Sequence, residues 1–346
     1  MNRRHILRLL LVVIIIATTP LLWRGALTVG GPPAIDAPPS YLPALEATRE
    51  RRPFDPVPIE ELRSMQPSYV IVSDSMGGRI DAATLTRLTD QFVAPLLRNA
   101  TGPAYWYLMF KNYVIGSGIK PKWTFFFFRD TVLTDTTFRL LDSSRRGVDE
   151  VALDVEPELN AIVAARTHNP WFALHRAVDR AYDTERARAW IEPAISGRLS
   201  GAVAGSRGRT KLLDGMNSAF SLEHLRPITA ADMEAAADRT ADFDANVKTS
   251  VLPLILQLAR EHDLKLCFVR VLRRPVDGRP PAETPRLQRY VADMRRYLEA
   301  NGAMFRDDTH DADMLAIPYG DGDHIGRGQA PHYTELFYAK LAALFR

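Results

Sequence analysis

Cysteine is almost absent from this sequence of 346 residues, in which Cys267 is the only one. One cysteine excludes an intramolecular disulfide and a zinc site built from several thiolates. An excess of charge of one sign is missing as well, because 44 lysines and arginines are balanced by 41 aspartates and glutamates, for a formal net charge of +3. That balance gives no sign of the basic surface that nucleic-acid binding needs. We therefore expect no nucleic-acid partner.

A hydrophobic run as long as a typical membrane span is also lacking. The apolar stretch from Leu9 to Trp23 is closed by Arg24 and is short against the roughly 20 residues of a full membrane span. Arginines before the stretch predict that the N-terminus stays in the cytoplasm and that the remainder is exported. Because no small-x-small cleavage site follows directly, we expect an uncleaved signal-anchor over residues 1–24, a transmembrane helix that holds an extracytoplasmic protein at the membrane. A cleaved signal, giving a secreted or periplasmic protein, is the alternative.

Proline is plentiful in residues 25–66, as in "GGPPAIDAPPSYLP", which predicts a tether that leads into the folded part. Residues 67–346 are left for the folded domain. The chain is 46% hydrophobic and 25% charged, a composition typical of globular proteins. The length of this domain is sufficient for a substantial core.

Unbroken apolar runs follow one another along this domain, separated by helical patterns. Strands are predicted at 69–73, in "KWTFFFFRD", in "LKLCFVRV" and in "AMFRD". Helices are predicted from Asp81 to about Arg98, at 104–115, around 239–262, in "ETPRLQRYVADMRRYLEANG" and in "YTELFYAKLAALF". This order is typical of an α/β fold with a parallel sheet covered on both faces. Residues 131–225 interrupt it with amphipathic helical patterns and are interpreted as an inserted helical cap.

Polar residues directly follow each predicted strand. They are Ser73-Asp74-Ser75, Arg129-Asp130, Arg270 and Asp307-Asp308. In parallel sheets, the functional groups collect beyond the carboxyl ends of the strands. We therefore expect the functional site at this edge of the sheet.

The stretch "SYVIVSDSMGGRID" (68–81) presents Ser75 where a strand gives way to a helix. A serine nucleophile needs a base within hydrogen-bond reach and a group that orients the base. Near the C-terminus, His324 follows Asp321 by three residues, so one short loop can supply both base and orienting carboxylate. Asp323 is the alternative carboxylate. A turn that merely caps a helix is the alternative interpretation of the serine motif.

These two motifs together resemble those of the SGNH (GDSL-type) hydrolase superfamily. "SDS" follows the first strand, with Ser73 in place of the family's glycine, and "DGDH" precedes the last helix. The resemblance covers residues 67–130 and 240–346. It implies a three-layer α/β/α sandwich with a mostly parallel, flavodoxin-like sheet. It also implies that Ser75 is the nucleophile, His324 the general base and Asp321 the orienting acid.

The chain departs from the family's Gly-x-Asn-Asp block, whose Asn donates to the oxyanion. The corresponding residues are Phe127-Phe128-Arg129-Asp130. Arg129 can supply donors instead, or can hold an anionic substrate together with Arg270. Ordinary ion pairing with carboxylates of the cap is the alternative interpretation of these two arginines. The other candidates for oxyanion donors are Gly102, with Gly116 and Gly118 behind it, and Asn112.

The resemblance implies an exported serine-dependent acyl-ester enzyme, either an esterase or an O-acetyltransferase of cell-envelope glycans. Its expected substrate is an acylated glycan or a small ester, and no cofactor and no metal are expected. Tethered members of this kind include partners of membrane-bound O-acyltransferases, so such a protein is an expected partner. The alternative is a non-catalytic assembly or binding protein of the envelope, which the missing Asn block favours.

The acidic segment "RDDTHDAD" (306–313) allows a third interpretation, a metal-assisted hydrolase. Asp307, Asp308, His310 and Asp311 offer the clustered oxygens that hard cations prefer, beside one imidazole. A solvated acidic loop is the plainer interpretation of the same residues. His332 is likewise interpreted as a residue at a helix start rather than as a second base.

Overall fold

The computed structural model describes residues 57–98, 101–136, 138, 156–167, 241–275, 278–320, 323–326 and 328–345, together with Ile14 and Thr18. The chain divides into two compact units, residues 1–36 with 167–227 and residues 37–166 with 228–346. Of the first unit only Ile14, Thr18 and Thr167 are described, and the Thr18 hydroxyl donates to the Ile14 carbonyl at 2.8 Å. Everything else below concerns the second unit.

A five-stranded, all-parallel sheet forms the centre of this unit. The strands are β1 (Tyr69–Ser73), β2 (Val93–Leu97), β3 (Trp123–Phe128), β4 (Leu266–Arg270) and β5 (Met304–Asp307). Their order across the sheet is β2-β1-β3-β4-β5, which is the flavodoxin-like order. The predicted α/β fold with a parallel sheet is therefore confirmed.

Helices connect the strands and flank the sheet. The α-helices are α1 (Val57–Met65), α2 (Ala82–Thr89), α3 (Pro103–Met109), α4 (Pro157–Thr167), α5 (Phe243–Val247), α6 (Leu252–Glu261), α7 (Pro285–Ala300), α8 (Ala312–Leu315) and α9 (Ala330–Lys340). In the part of the chain that the structure describes, short 3₁₀ turns cover Ser75–Arg79, Val132–Thr134 and Ala342–Leu344, and a π-helical turn, Phe110–Ile115, extends α3.

The two faces of the sheet are covered by different helices, because successive strand residues point to opposite sides. On one face the ring of Phe125 lies 5.5 Å from that of Phe337 on α9. On the other face the ring of Phe126 lies 5.7 Å from that of Phe110 in the π-helical turn. Strands β1 and β4 and residues 124–128 of β3 are buried along their whole length, as expected of a sheet that is covered on both sides.

Strand β2 was not among the predicted strands, since the pattern predicted one helix from Asp81 to about Arg98. The structure ends helix α2 at Thr89, and Asp90 follows it in the left-handed conformation with φ of 52°. A left-handed residue is a common helix terminator. Pro95 is tolerated within β2 because β2 is an edge strand, where a missing ladder donor costs little.

Helix α1 lies in the segment assigned to the proline-rich tether. Its Ile59 and Leu62, three residues apart on one side of the helix, are buried. Their burial explains why this part of the segment is ordered against the domain. The predicted helical cap lies mostly outside the described residues, which include only 131–136, 138 and 156–167 of it.

The prediction of a transmembrane helix is wrong for the part of the chain that the structure describes. No helix among these residues is both long enough and apolar enough to cross a membrane. Apart from Ile14 and Thr18, residues 1–24, on which that prediction fell, lie outside the described residues.

Candidate active site

The turn after β1 is built by short hydrogen bonds that fix Ser75 at the end of the strand. Asp74 is the N-cap of the 3₁₀ turn and accepts from the Met76 backbone N–H at 2.9 Å. The Ser73 hydroxyl donates to the Phe127 carbonyl at 2.8 Å and accepts from the Gly77 N–H at 3.1 Å. Both side chains are buried and serve the turn, whereas Ser75 is partly exposed. Ser73 and Asp74 thus cap the turn, and the Ser75 hydroxyl is not among the groups that build it.

Gly77 allows this turn to pack against β1 and β2. A Cβ at this position would lie 2.5 Å from Leu97 Cδ2 and 2.7 Å from Ser73 Cβ. We expect Gly77→Ala to lower the free energy of unfolding by about 1–3 kcal/mol, because overpacking forces neighbouring atoms apart. Gly78→Ala is the matched control, since nothing lies within 4 Å of a Cβ there. Urea unfolding measures the free energy of unfolding of both variants, and equal unfolding midpoints for Gly77→Ala and Gly78→Ala would contradict the prediction.

Ser75 and His324 are brought together although 249 residues separate them. The distance between Ser75 Oγ and His324 Nε2 is 2.8 Å. In the tautomer that carries its proton on Nδ1, the imidazole accepts a hydrogen bond from the serine hydroxyl through Nε2. This is the geometry that a serine nucleophile and its general base require.

His324 lies in a narrow loop after α8. Tyr319 and Ile325 form an antiparallel bridge across the loop. The Gly320 N–H donates to the His324 carbonyl at 2.9 Å, and the Gly326 N–H donates to the Pro318 carbonyl at 2.7 Å. These bonds hold the backbone on both sides of His324 while its side chain stays exposed.

Asp323 anchors this loop to the ends of two strands. Its Oδ2 accepts from Arg129 Nη1 at 2.8 Å, and its Oδ1 accepts from the Arg274 backbone N–H at 3.1 Å. Burial raises the pKa of Asp323, but the Arg274 N–H and the Arg129 guanidinium outweigh it and hold the pKa below the usual range. Both carboxylate oxygens are therefore engaged away from the imidazole, which argues against Asp323 as the orienting acid. Asp321, the predicted one, lies outside the described residues.

The two arginines predicted near the substrate are buried in ion pairs. Arg129 pairs with Asp323 as above. Arg270 is 1% exposed. Its Nη2 donates to Asp130 at 2.8 Å and to Glu283 at 2.6 Å, and its Nη1 donates to Asp307 at 3.1 Å. Both terminal nitrogens of Arg270 are thus engaged by carboxylates of the protein itself.

The candidate oxyanion residues have local structural partners. Gly102 is the N-cap of α3, and its carbonyl accepts from the Tyr105 and Trp106 N–H groups. A Cβ on Gly102 would meet the backbone oxygen of Phe138, so packing alone accounts for glycine there. The buried Asn112 donates its side-chain amide to the Leu108 carbonyl at 2.9 Å, within its own helix.

Gly116 and Gly118 end the same helical segment. Gly116 directly follows the π-helical turn, and its carbonyl accepts from Arg63 Nη2 of α1 at 3.2 Å. Gly118 adopts a left-handed conformation with φ of 72°, which glycine accommodates without strain. The end of the helical segment thus gives both glycines a structural role.

The acidic segment is held by cations of the protein. Arg306 pairs with Asp308 and with Asp311, both at 2.7 Å, and Lys340 also pairs with Asp311 at 2.8 Å. Among the described residues, no group of three histidines, cysteines, aspartates or glutamates is arranged to hold a metal ion. His332 lies in the first turn of α9 and is exposed.

Sequence reasoning did not single out Arg79. It is 2% exposed, and its Nη2 donates to the backbone carbonyl of Asp323 at 2.6 Å. The one sequence feature that could have pointed to Arg79 as part of the site is its position four residues after Ser75. The contact spans 244 residues of sequence, and no local pattern announces it.

Fold and site together define an α/β protein with a flavodoxin-like parallel sheet and a Ser–His pair beyond the carboxyl ends of its strands. A scan of the chain against protein-family models finds no match, and a search of the curated proteins finds none either. Membership of the SGNH superfamily stays a prediction from the two motifs.

Proposed function

We propose that the protein is a serine-dependent acyl-ester enzyme in which Ser75 is the nucleophile and His324 the general base. The observation that carries the proposal is the 2.8 Å distance between Ser75 Oγ and His324 Nε2 at the carboxyl edge of the sheet. Ser75 begins a 3₁₀ turn whose hydrogen bonds come from Asp74, Ser73 and Gly77, so its own hydroxyl is free to face the base.

The reaction follows from the roles of these two groups. Ser75 Oγ attacks the acyl carbonyl while its proton passes to His324 Nε2. The imidazolium then gives that proton to the leaving alcohol, and the acyl group stays on Ser75. In the second half His324 takes a proton from water or from a hydroxyl acceptor, which attacks the acyl-serine. The imidazolium then returns this proton to Ser75 Oγ as the acyl-serine bond breaks, so that acid or a new ester leaves and the Ser–His pair is regenerated. The backbone N–H of Ser75, as the first residue of its turn, is a donor for the oxyanion.

Substrate and setting are proposed from the sequence resemblance. We infer that the acyl acceptor or donor is a cell-envelope glycan, that Asp321 orients His324, and that the body of the protein is exported. Transfer to a glycan would make a membrane-bound O-acyltransferase the expected partner. Hydrolysis of the acyl-serine by water would need no partner.

One observation favours a second candidate, a non-catalytic binding module of the envelope. The residue at the expected position of the oxyanion Asn is Arg129, whose side chain is held in an ion pair by Asp323. The side chain at the position of the family's Asn donor is thus engaged, through its Nη1, by a carboxylate of the protein.

Intact-mass analysis of the full chain after treatment with a fluorophosphonate probe tests the proposal. We expect one adduct on wild type and none on Ser75→Ala, because the probe reacts only with an activated serine. Ser68→Ala is a matched control, since the Ser68 hydroxyl donates to Gln91 Oε1 at 2.7 Å beside the amino end of β1 and has no part in the turn that carries Ser75. Wild-type protein that is folded but carries no adduct would favour the binding module.

A further inference from the structure

Arg79 connects the two halves of the Ser–His pair. It closes the 3₁₀ turn, Ser75–Arg79, that Ser75 begins. Its Nη2 donates at 2.6 Å to the carbonyl of Asp323, the oxygen of the peptide group that precedes His324. Its Nη1 donates at 3.1 Å to the hydroxyl of Tyr319, on the opposite side of the His324 loop. One guanidinium thus contacts both sides of the loop.

The environment of Arg79 restricts the guanidinium further. Its carbon lies 5.4 Å from the ring centroid of Tyr319 and 5.9 Å from that of Tyr333, within the range of cation–π contacts. The Tyr319 hydroxyl in turn donates to the Leu272 carbonyl at 3.0 Å. Arg79 is therefore held in place by side chains that are themselves fixed.

The loop has two anchors, the Asp323 carboxylate and the Arg79 guanidinium, and they differ in what they can position. Asp323 ties the loop to Arg129 after β3 and to Arg274 after β4, which sets its place against the sheet. Arg79 alone among these contacts comes from the turn that carries Ser75. It therefore controls the position of His324 relative to the nucleophile.

We propose that Arg79 is a positioning residue that holds His324 at hydrogen-bond distance from Ser75 by clamping Tyr319 and Asp323, which flank the loop of His324, to the nucleophile's turn. The proposal rests on the proposed function for its catalytic consequence. Displacing a catalytic group by about 1 Å can cost on the order of 10²-fold in rate. Loss of the clamp acts on the rate of acylation and leaves the binding of a small probe almost unchanged.

The kinetic test compares Arg79→Met and Arg79→Lys with wild-type full chain. We expect Arg79→Met to lower the maximal rate of Ser75 labelling by fluorophosphonate about 10²-fold, while the probe concentration for half-maximal rate changes less than about threefold. Arg79→Lys keeps the charge and a donor nitrogen but loses the planar fork that reaches both acceptors, and its labelling should be at least about tenfold faster than that of Arg79→Met. Arg166→Met is the control, because Arg166 also donates to backbone carbonyls, those of Thr134 and Thr249. If Ser75 were labelled as fast in Arg79→Met as in Arg166→Met, the proposal would be overturned.

Hydrogen–deuterium exchange supplies a readout that is independent of activity. The Gly320 and Gly326 amides, bonded to His324 and Pro318, should exchange faster in Arg79→Met than in Arg166→Met. Equal exchange in the two variants would overturn the clamp even if labelling slowed. An inert Ser75 in wild type would count against the proposed function instead, and the exchange rates would still decide whether Arg79 holds the loop.

Discussion

Replacing His324 by alanine is expected to slow acylation of Ser75 by about 10²–10⁴-fold, the usual contribution of general-base catalysis. The ring nitrogen that lies 2.8 Å from Ser75 Oγ is the only acceptor for the serine proton that the described residues place there. Without it the hydroxyl must lose its proton to water. The measurement is hydrolysis of 4-nitrophenyl acetate, followed at saturating and at low ester concentration. The effect should appear in kcat.

His332→Ala is the matched control for this substitution. His332 is an exposed histidine in the first turn of α9, and no hydrogen bond joins it to the serine turn among the described residues. The activity of His332→Ala should stay within about twofold of wild type, because a substitution of an exposed residue with no contact to the Ser–His pair changes little. If His324→Ala kept the activity of His332→Ala, the 2.8 Å contact would have no catalytic meaning.

The elements of the fold that follow from local pattern were predicted from the sequence. The run Phe125–Phe128 is fully buried in β3, as unbroken apolar runs in parallel sheets are. The pairing of Ser75 with His324 could be anticipated for a related reason. Ser75 follows the first strand, and His324 precedes the last helix. Because the carboxyl ends of parallel strands meet at one edge of the sheet, both motifs were expected at that edge.

The parts that sequence reasoning missed depend on contacts between distant residues. Strand β2 is short and contains Pro95, so its pattern merged with helix α2. Two interpretations of Arg129 and Arg270 were open, contact with an anionic substrate and ion pairing with carboxylates of the cap. Their carboxylate partners lie as far as 194 residues away, in Asp323, and 140 residues away, in Asp130. No periodicity links such positions.

Arg270 shows how strongly these distant contacts hold the edge of the sheet. It ends β4, and its partners follow β3 (Asp130), end β5 (Asp307) and precede α7 (Glu283). Burial lowers the pKa of Arg270, but Asp130, Asp307 and Glu283 outweigh it and raise the pKa above its ordinary value. The charged form is therefore the stable one, and the carboxylates depend on it for neutralisation.

Arg270→Met is accordingly expected to lower the free energy of unfolding by about 3–5 kcal/mol, because it leaves buried carboxylates without their cation. Urea unfolding at neutral pH measures the loss, with Arg296→Met as control. Arg296 pairs with Asp293 on the surface of α7 and is 74% exposed, so its loss should cost no more than about 1 kcal/mol.

Adding Glu283→Gln and Asp307→Asn to Arg270→Met should restore much of the stability. The two substitutions remove the charges that Arg270 neutralised, while Asp130 keeps Arg273, whose Nη1 lies 3.3 Å from its Oδ2. Removing both members of a buried ion pair is far less costly than removing one, because no isolated charge stays buried. If the triple variant were no more stable than Arg270→Met, the loss would come from packing of the arginine side chain and not from its charge.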